Sequence, residues 1–210
     1  MPMHKVQQGE CISSIALQNG FADFRTIWDH PENGDLKRRR PDPNILLASD
    51  QVFVPNKKLR EEKAVTGAVH KFVLNRSLVF LKLVLQFDGV ALANKPYSLQ
   101  IGPQQRKGVT DGNGALKEPI DPDAASITLR LENPAIEWDL ALGHLDPFTE
   151  VSGVQERLNN LGHRCGDVDG VVGARTRAAL RQFQSRHGLK PTGAIDSSTE
   201  KVLRKTHDQI

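Results

Sequence analysis

Two thiols, seven imidazoles and a surplus of carboxylates are the groups in this chain that could act as nucleophile, base or metal ligand. A cysteine nucleophile needs its thiolate beside an imidazole in a domain large enough to build a cleft. Cys11 opens a short helical pattern near one end of the chain, and Cys165 lies in a loop near the other. His163 stands two residues before Cys165, but a Cys/His metal site needs further ligands and none is near. The histidines (His4, His30, His70, His144, His163, His187 and His207) show neither the His-x-x-Glu-His nor the His-x-x-x-His zinc spacing. Glycoside hydrolysis needs two carboxylates flanking a cleft; Glu61 and Glu62 are neighbours in a charged run and diverge in space. The spacing of these groups offers no catalytic constellation.

The elements that would position a recognition surface are clearest between Asp167 and Gln184. An Asp-Gly-x-x-Gly turn, Asp169-Gly170-x-x-Gly173, leads into a helix whose Ala179, Leu180, Phe183 and His187 recur at helical spacing. Gly170 and Gly173 suit a backbone needing positive φ or close approach. The turn and helix recur downstream at an offset of 23 residues: Gly170 matches Gly193, Gly173 matches Asp196, Thr176 matches Thr199 and Leu180 matches Leu203. Val154, Leu158 and Leu161 form an earlier amphipathic helix closed by Gly162. The spacing predicts a three-helix bundle over residues 150–210.

This string resembles the small peptidoglycan-binding domain appended to cell-wall hydrolases. The resemblance rests on Val154-Gln155-x-x-Leu158-x-x-Leu161-Gly162, on Val168-Asp169-Gly170-x-x-Gly173-x-x-Thr176, and on Phe183-Gln184 followed by Gly188-Leu189. It implies peptidoglycan as partner, with Asp169, Gly170, Gly173, Arg175 and Thr176 around the turn as candidate contacts. Arg175 would meet stem-peptide carboxylates through its planar fork.

Residues 1–56 predict a strand at Met3–Val6, a helix carrying Ile12, Ile15 and Ala16, a second with Ile27 and Trp28 ending before Pro31, and a strand ending at Pro55. This βααβ unit resembles a lysin motif (LysM) through Val6-x-x-Gly9-Glu10-Cys11-Ile12-Ser13-Ser14-Ile15-Ala16, Ile27-Trp28, Pro43-Asn44-Ile45-Leu46 and Asp50-x-Val52-Phe53-Val54-Pro55. Cys11 stands where that family has threonine, and Ala48-Ser49-Asp50 replaces its Pro-Gly-Asp turn. The resemblance places Gly9, Glu10, Cys11 and Ile12 on one lip of a glycan groove and Asn44, Ile45 and Leu46 on the other, with Ile12 and Ile45 against sugar faces. An insertion from Glu32 to Pro41 makes the unit similar to versions carried by contractile injection systems, including type VI secretion. Its Lys37-Arg38-Arg39-Arg40 run reads as a solvated helix end or, alternatively, as a docking patch for carboxylates.

Residues 57–64 form a charged linker. From 65 to 145 the period changes to two, with Leu81, Leu83, Leu85 and Phe87, then Tyr97, Leu99 and Ile101, Ile127, Leu129 and Leu131, and Trp138, Leu140 and Leu142. Turns at Asp88-Gly89, Asn94-Lys95-Pro96, Asp111-Gly112-Asn113-Gly114 and Asp121-Pro122-Asp123 separate the runs, predicting an antiparallel β-sandwich. The Lys95–Leu99 and Gly108–Leu116 strings resemble immunoglobulin-like or prealbumin-like modules, in which Asp111 and Gly114 are structural.

The whole reads as a multidomain α+β chain. Hydrophobic residues make up 38% and charged residues 25%, and the net charge of +3 is too small to argue for nucleic acid. With mean hydropathy −0.42 and an interrupted apolar run from Leu78 to Phe87, no membrane insertion is expected. Met1–Val6 lacks a signal peptide's apolar core, so synthesis in the bacterial cytoplasm is expected, with delivery to periplasm or wall by an injection system. Two cysteines in different domains are expected to stay reduced. The resulting expectation is a peptidoglycan-binding protein without catalytic residues, metal or cofactor. The alternative is an adaptor or cargo-loading component of an injection machine, with a secreted effector or machine component as partner.

Overall fold

The computed structural model describes residues 3–57, 61, 63–71, 73 and 79–208. The chain mixes α-helices with antiparallel strands and separates into two compact units. One comprises Met1–Phe80 with Pro119–Ala125, the other Leu81–Glu118 with Ser126–Ile210.

In the first unit, β1 (Met3–Lys5) pairs antiparallel with β2 (Gln51–Phe53), Met3 opposite Phe53. Between them run α1 (Ile12–Gln18), α2 (Arg25–Trp28), a 3-10 turn at Pro31–Asn33 and α3 (Gly34–Arg39). Two helical segments were expected; the insertion supplies two more. α1 starts at a capping box in which Cys11 does what Ser or Thr usually does. Its Sγ accepts the Ser14 N–H at 3.5 Å, while Ser14 Oγ accepts the Cys11 N–H at 2.9 Å. The core gathers Val6, Ile12, Ile15, Ile27, Trp28, Leu36, Leu46 and Val52.

The insertion is built into this unit. Leu36 enters the core, and the buried Asn33 side chain exchanges hydrogen bonds with Phe53 N and O while also donating to Ile27 O. Each side chain of the basic run has a carboxylate partner, of which only Asp50 is buried. Arg40, 6% exposed, donates to Asp50 Oδ2 at 2.8 Å; Arg39 reaches the same carboxylate; Lys37 pairs with Asp29 and Arg38 with Asp35. Lys37, Arg38 and Arg39 stay exposed, as a solvated helix end would, with their charges paired; only Arg40 turns inward. Asp50 also accepts the Leu47 N–H, closing a turn in which Ser49 holds φ 92 where glycine would be free of strain.

The middle of the chain gives β3 (Val79–Val84), β4 (Gln86–Phe87), β5 (Val90–Ala91), β6 (Pro96–Ile101), β7 (Gln104–Val109), β8 (Ala115–Ile120), β9 (Ser126–Glu132) and β10 (Ala135–Ala141). A four-stranded sheet runs β10-β9-β6-β7, while β3 pairs with β8 and β4 with β5. Tyr97, Leu99, Ile101, Ile127, Leu129 and Leu131 alternate into the buried face. Asp111 accepts the N–H groups of Asn113 and Ala115 and so shapes its turn. Strands were expected from residue 65, but Val65–Lys71 form none and Val65 and Val69 are exposed. Leu78 and residues 58–60 and 62 of the expected linker lie outside the described residues.

The last segment holds α4 (Val151–Asn160), α5 (Ala174–Arg186) and α6 (Ser197–His207) around Phe148, Val154, Leu158, Leu180, Phe183 and Leu203. Arg157 is 1% exposed yet satisfied: it donates to Asp146 O, Gly153 O and Asp208, and its guanidinium lies 3.9 Å from the Phe148 ring centroid. The end of α6 is thereby tied to the start of α4. No helix among the described residues is long and apolar enough to cross a membrane.

Candidate functional site

The turn ahead of α5 is held from behind by one side chain. Gln155 on α4 is buried, and both ends of its amide are hydrogen-bonded to the turn. Its Nε2 donates to Asp169 Oδ1 at 2.8 Å, Val171 O at 3.1 Å and Thr176 Oγ1 at 3.1 Å, while its Oε1 accepts the Gly170 N–H at 2.9 Å. An amide suits this place because it donates and accepts from one planar group. Thr176 is buried and passes its own proton to Val171 O, so it supports the turn from inside. Gly170 has φ 72, as its position required; Gly173 is the extended N-cap of α5 at φ −81, with nothing crowding its missing side chain.

Sequence reasoning grouped Asp169, Gly170, Gly173, Arg175 and Thr176, and the structure brings them together. Asp169, Gly170 and Arg175 face solvent. The Gln155 amide, and next the Val171 N–H, hold the Asp169 carboxyl below the usual carboxylate range. Two apolar contributors were missed: Val168 is 44% and Val171 60% exposed, flanking Asp169-Gly170. The signal was available, since two valines interleaved with the aspartates and glycines of a surface turn have no helical or strand face to bury them.

The downstream copy repeats the construction bond for bond. Gln184 on α5 donates to Thr192 Oγ1, Ala194 O and Thr199 Oγ1, and accepts the Gly193 N–H at 2.9 Å. Gln155 and Gln184 were part of the quoted motif without a role; both are keystones.

Around Cys165, the thiol donates to Gln155 O and Asn159 Oδ1, and burial pushes its pKa up, opposite to what a nucleophile needs. His163 packs edge-on against Phe183, and its Nδ1–H donates to Gln182 Oε1 at 3.2 Å. Burial depresses its pKa, with the Arg186 and His187 charges adding to the effect and the Gln182 bond opposing it. Both cysteines are free and buried, and no group of three or more His, Cys, Asp or Glu among the described residues is placed to hold a metal ion.

In the first unit the two expected lips lie side by side. Ile12 N–H donates to Pro43 O at 2.9 Å, and Ser13 Oγ reaches Asn44 Oδ1 at 3.5 Å. Ile12 is fully enclosed, and Cys11 and Leu46 are buried, so these three side chains serve the cap and core rather than a sugar face. Gly9, Glu10 and Ile45 are half-buried, and Asn44 is exposed. Glu10 Oε2 lies 2.7 Å from His4 Nε2 and accepts the Gln7 N–H. Burial raises the Glu10 pKa, but the bonds from Gln7, His4 and Gln18 outweigh it and leave the group below its ordinary value.

Residues 149–203 match the family model described as "Putative peptidoglycan binding domain". A 56-residue stretch is 43% identical to "Putative OxPP cycle protein OpcA" from Synechococcus elongatus, covering 27% of this chain and 13% of that protein, so the chain spans a small part of that relative. A solved structure, SltB3 from Pseudomonas aeruginosa in complex with NAG-anhNAM-pentapeptide, aligns at 14% identity and a TM-score of 0.26 over 55% of this chain and 46% of its own. With the motif of the α4–α6 segment now in three dimensions, residues 149–203 are a peptidoglycan-binding domain.

Proposed function

We propose that the protein is a non-catalytic peptidoglycan binder that holds the wall at two places, the turn ahead of α5 and the paired lips of the first unit. The family match at residues 149–203 carries the reading. Val168 and Val171 offer apolar surface to a sugar face or alanyl methyl, Asp169 and Gly170 offer polar edges, and Arg175 offers a fork for a carboxylate. In the first unit, the lysin-motif role falls to Asn44, Ile45, Gly9 and Glu10, which keep exposed surface.

Two shallow contacts on one chain make sense against a repeating polymer. Each binds weakly, because it buries little surface and must order a flexible glycan. Tethering converts the second contact into an intramolecular step and raises apparent affinity by roughly 10²- to 10⁴-fold when both sites engage.

Co-sedimentation of the full chain with purified sacculi tests this. Wild type is retained and releases no soluble muropeptides. Val171→Asp with Arg175→Glu disables one contact and Asn44→Arg with Ile45→Asp the other; each pair weakens retention, and the four together abolish it. Turnover lost in Cys11→Ala or Cys165→Ala would sink the non-catalytic reading. If the second pair changes nothing, the first unit is not a wall contact, and assembly into an injection machine becomes its role.

A further inference from the structure

α5 is charged in a way that the turn before it does not need. It carries Arg175, Arg177, Arg181 and Arg186 and no acidic residue. Arg177 and Arg181 are exposed, lie one helical turn apart on the same face, and have no carboxylate partner among the described residues.

Two of these arginines are laid over glycines. A Cβ on Gly166, at φ 87, would stand 3.2 Å from Arg175 Cδ. A Cβ on Gly193, at φ 72, would stand 3.0 Å from Arg181 Nε and 3.2 Å from its Cζ. Each glycine has the left-handed backbone that admits it, and its missing side chain leaves the bed on which the arginine rests. At Gly193 the bed is firm, because Gln184 Oε1 holds that peptide N–H from beneath. Arg181 thus lies along the Gly193 turn, exposed and without a carboxylate partner among the described residues, and Arg177 stands one helical turn before it. The planar fork of a guanidinium meets a carboxylate with two parallel N–H bonds, which suits an arginine without an acidic neighbour to such a ligand.

We propose that Arg181 and Arg177, backed by Gly193, form a second carboxylate site on the same module, taking the free carboxylates of uncrosslinked stem peptides. This rests on the wall-binding reading for the identity of the peptide. Arg175 over Gly166 serves the first turn, and Arg181 over Gly193 serves its copy, so one helix offers forks on two sides. The charge implies preference for walls whose stem peptides keep their acids un-amidated.

The experiment uses the full chain with two probes. Sacculi are compared before and after carbodiimide amidation of their carboxyl groups, and a soluble acidic muropeptide is titrated while Arg Nε–Hε resonances are followed. Arg177→Gln with Arg181→Gln is expected to lose about tenfold in affinity on native sacculi, and wild type to lose at least as much on amidated sacculi, while the double variant keeps only the smaller amidation sensitivity owed to Arg175. Arg181→Lys, which keeps charge and loses the fork, recovers only part. The Arg181 Nε–Hε signal shifts with the acidic muropeptide and stays still with its amide. If sacculi are not retained but the Arg181 signal still shifts, the carboxylate site stands and the wall-binding reading falls. If the double variant matches wild type on native sacculi, or the Arg181 signal ignores the acidic probe, the site is overturned.

Discussion

The turn and helix from Val168 to Arg186 and their copy from Pro191 to His207 share one hydrogen-bonding scheme and treat charge in opposite ways. α6 follows every rule for a stable helix. Asp196 accepts the Thr199 N–H at 2.8 Å as N-cap, Glu200 sits in the first turn, and Arg204, Lys205 and His207 sit in the last. α5 has glycine as N-cap, no acid in its first turn, and Arg175 and Arg177 near the positive end of its macrodipole. Those two charges, with the like-charged Arg177/Arg181 pair, give up roughly 1–2 kcal/mol of stability. A scaffold that obeys the rules in one copy and breaks them in the other marks the breaking copy as the place where surface chemistry matters more than stability.

The largest expected difference lies in the two keystones. Gln184→Ala strands the buried Gly193 N–H and takes the donor from the buried Thr199 hydroxyl, which keeps only its bond to Asp196. It should cost about 3 kcal/mol. Gln155→Ala strands Gly170, Asp169 and Val171 groups that face solvent and rehydrate, leaving buried Thr176 as the main loss, and should cost about 1–2 kcal/mol. Hydrogen exchange at the Leu180 and Leu203 amides measures both in the full chain. Equal losses would mean that the copies are equally buried in solution, and the contrast would fail.

Acid should separate the copies by where along the pH scale they weaken. His163, beside the first copy, has a depressed pKa in the fold, so the unfolded chain binds more protons below about 6.5. Its stability contribution is present above that pH and falls as pH drops through it. His163→Phe flattens the dependence of Tm between pH 7 and 5. In the second copy, bonds from Ser198 and then Thr199 pull Asp196 down to about 2. Its contribution is present above the ordinary aspartate value and is lost as pH falls towards about 2. Asp196→Asn keeps the cap and removes only this acid-range slope. Thermal melts of both variants at stepped pH check the pair; a shared slope that neither substitution removes would refute the assignment.

Much of this contrast was legible as letters, and what escaped has a physical reason. The 23-residue offset placed Gly170 on Gly193 and Thr176 on Thr199 because turns and helix faces are written locally. The bond partners Gln155 and Gln184 lie 29 residues apart instead, since each sits on the preceding helix. A keystone acting across elements therefore breaks the repeat it supports. The inward turn of Arg40 to Asp50 escaped for a similar reason: a run of four basic residues looks solvated until a carboxylate ten residues on is folded against it. Ile12 and Ile45 looked alike as sugar-facing side chains, but Ile12 is sealed in the core and Ile45 is half-open. Burial at that level depends on how two loops meet, which spacing alone does not fix.

The smallest expected effect separates stability from function most sharply. Gly173 matches Asp196 in the repeat and already has the extended backbone of an N-cap, φ −81 and ψ −173, with nothing within 4 Å of a built Cβ. Gly173→Asp therefore needs no rearrangement, and its carboxylate can accept the Thr176 N–H as Asp196 accepts that of Thr199. Aspartate outranks glycine at this position by only a few tenths of a kcal/mol, and proximity to Arg175 and Arg177 adds a little more. Hydrogen exchange at Leu180 should slow slightly. The same carboxylate competes for the guanidinium offered to the wall, so retention on native sacculi should fall even as the helix gains. A variant more stable and less retentive is the signature of charge withheld from the helix for a ligand. If Gly173→Asp stabilises α5 and leaves retention unchanged, the missing acid at the head of α5 is a neutral loss, and Arg175 is an ordinary surface arginine.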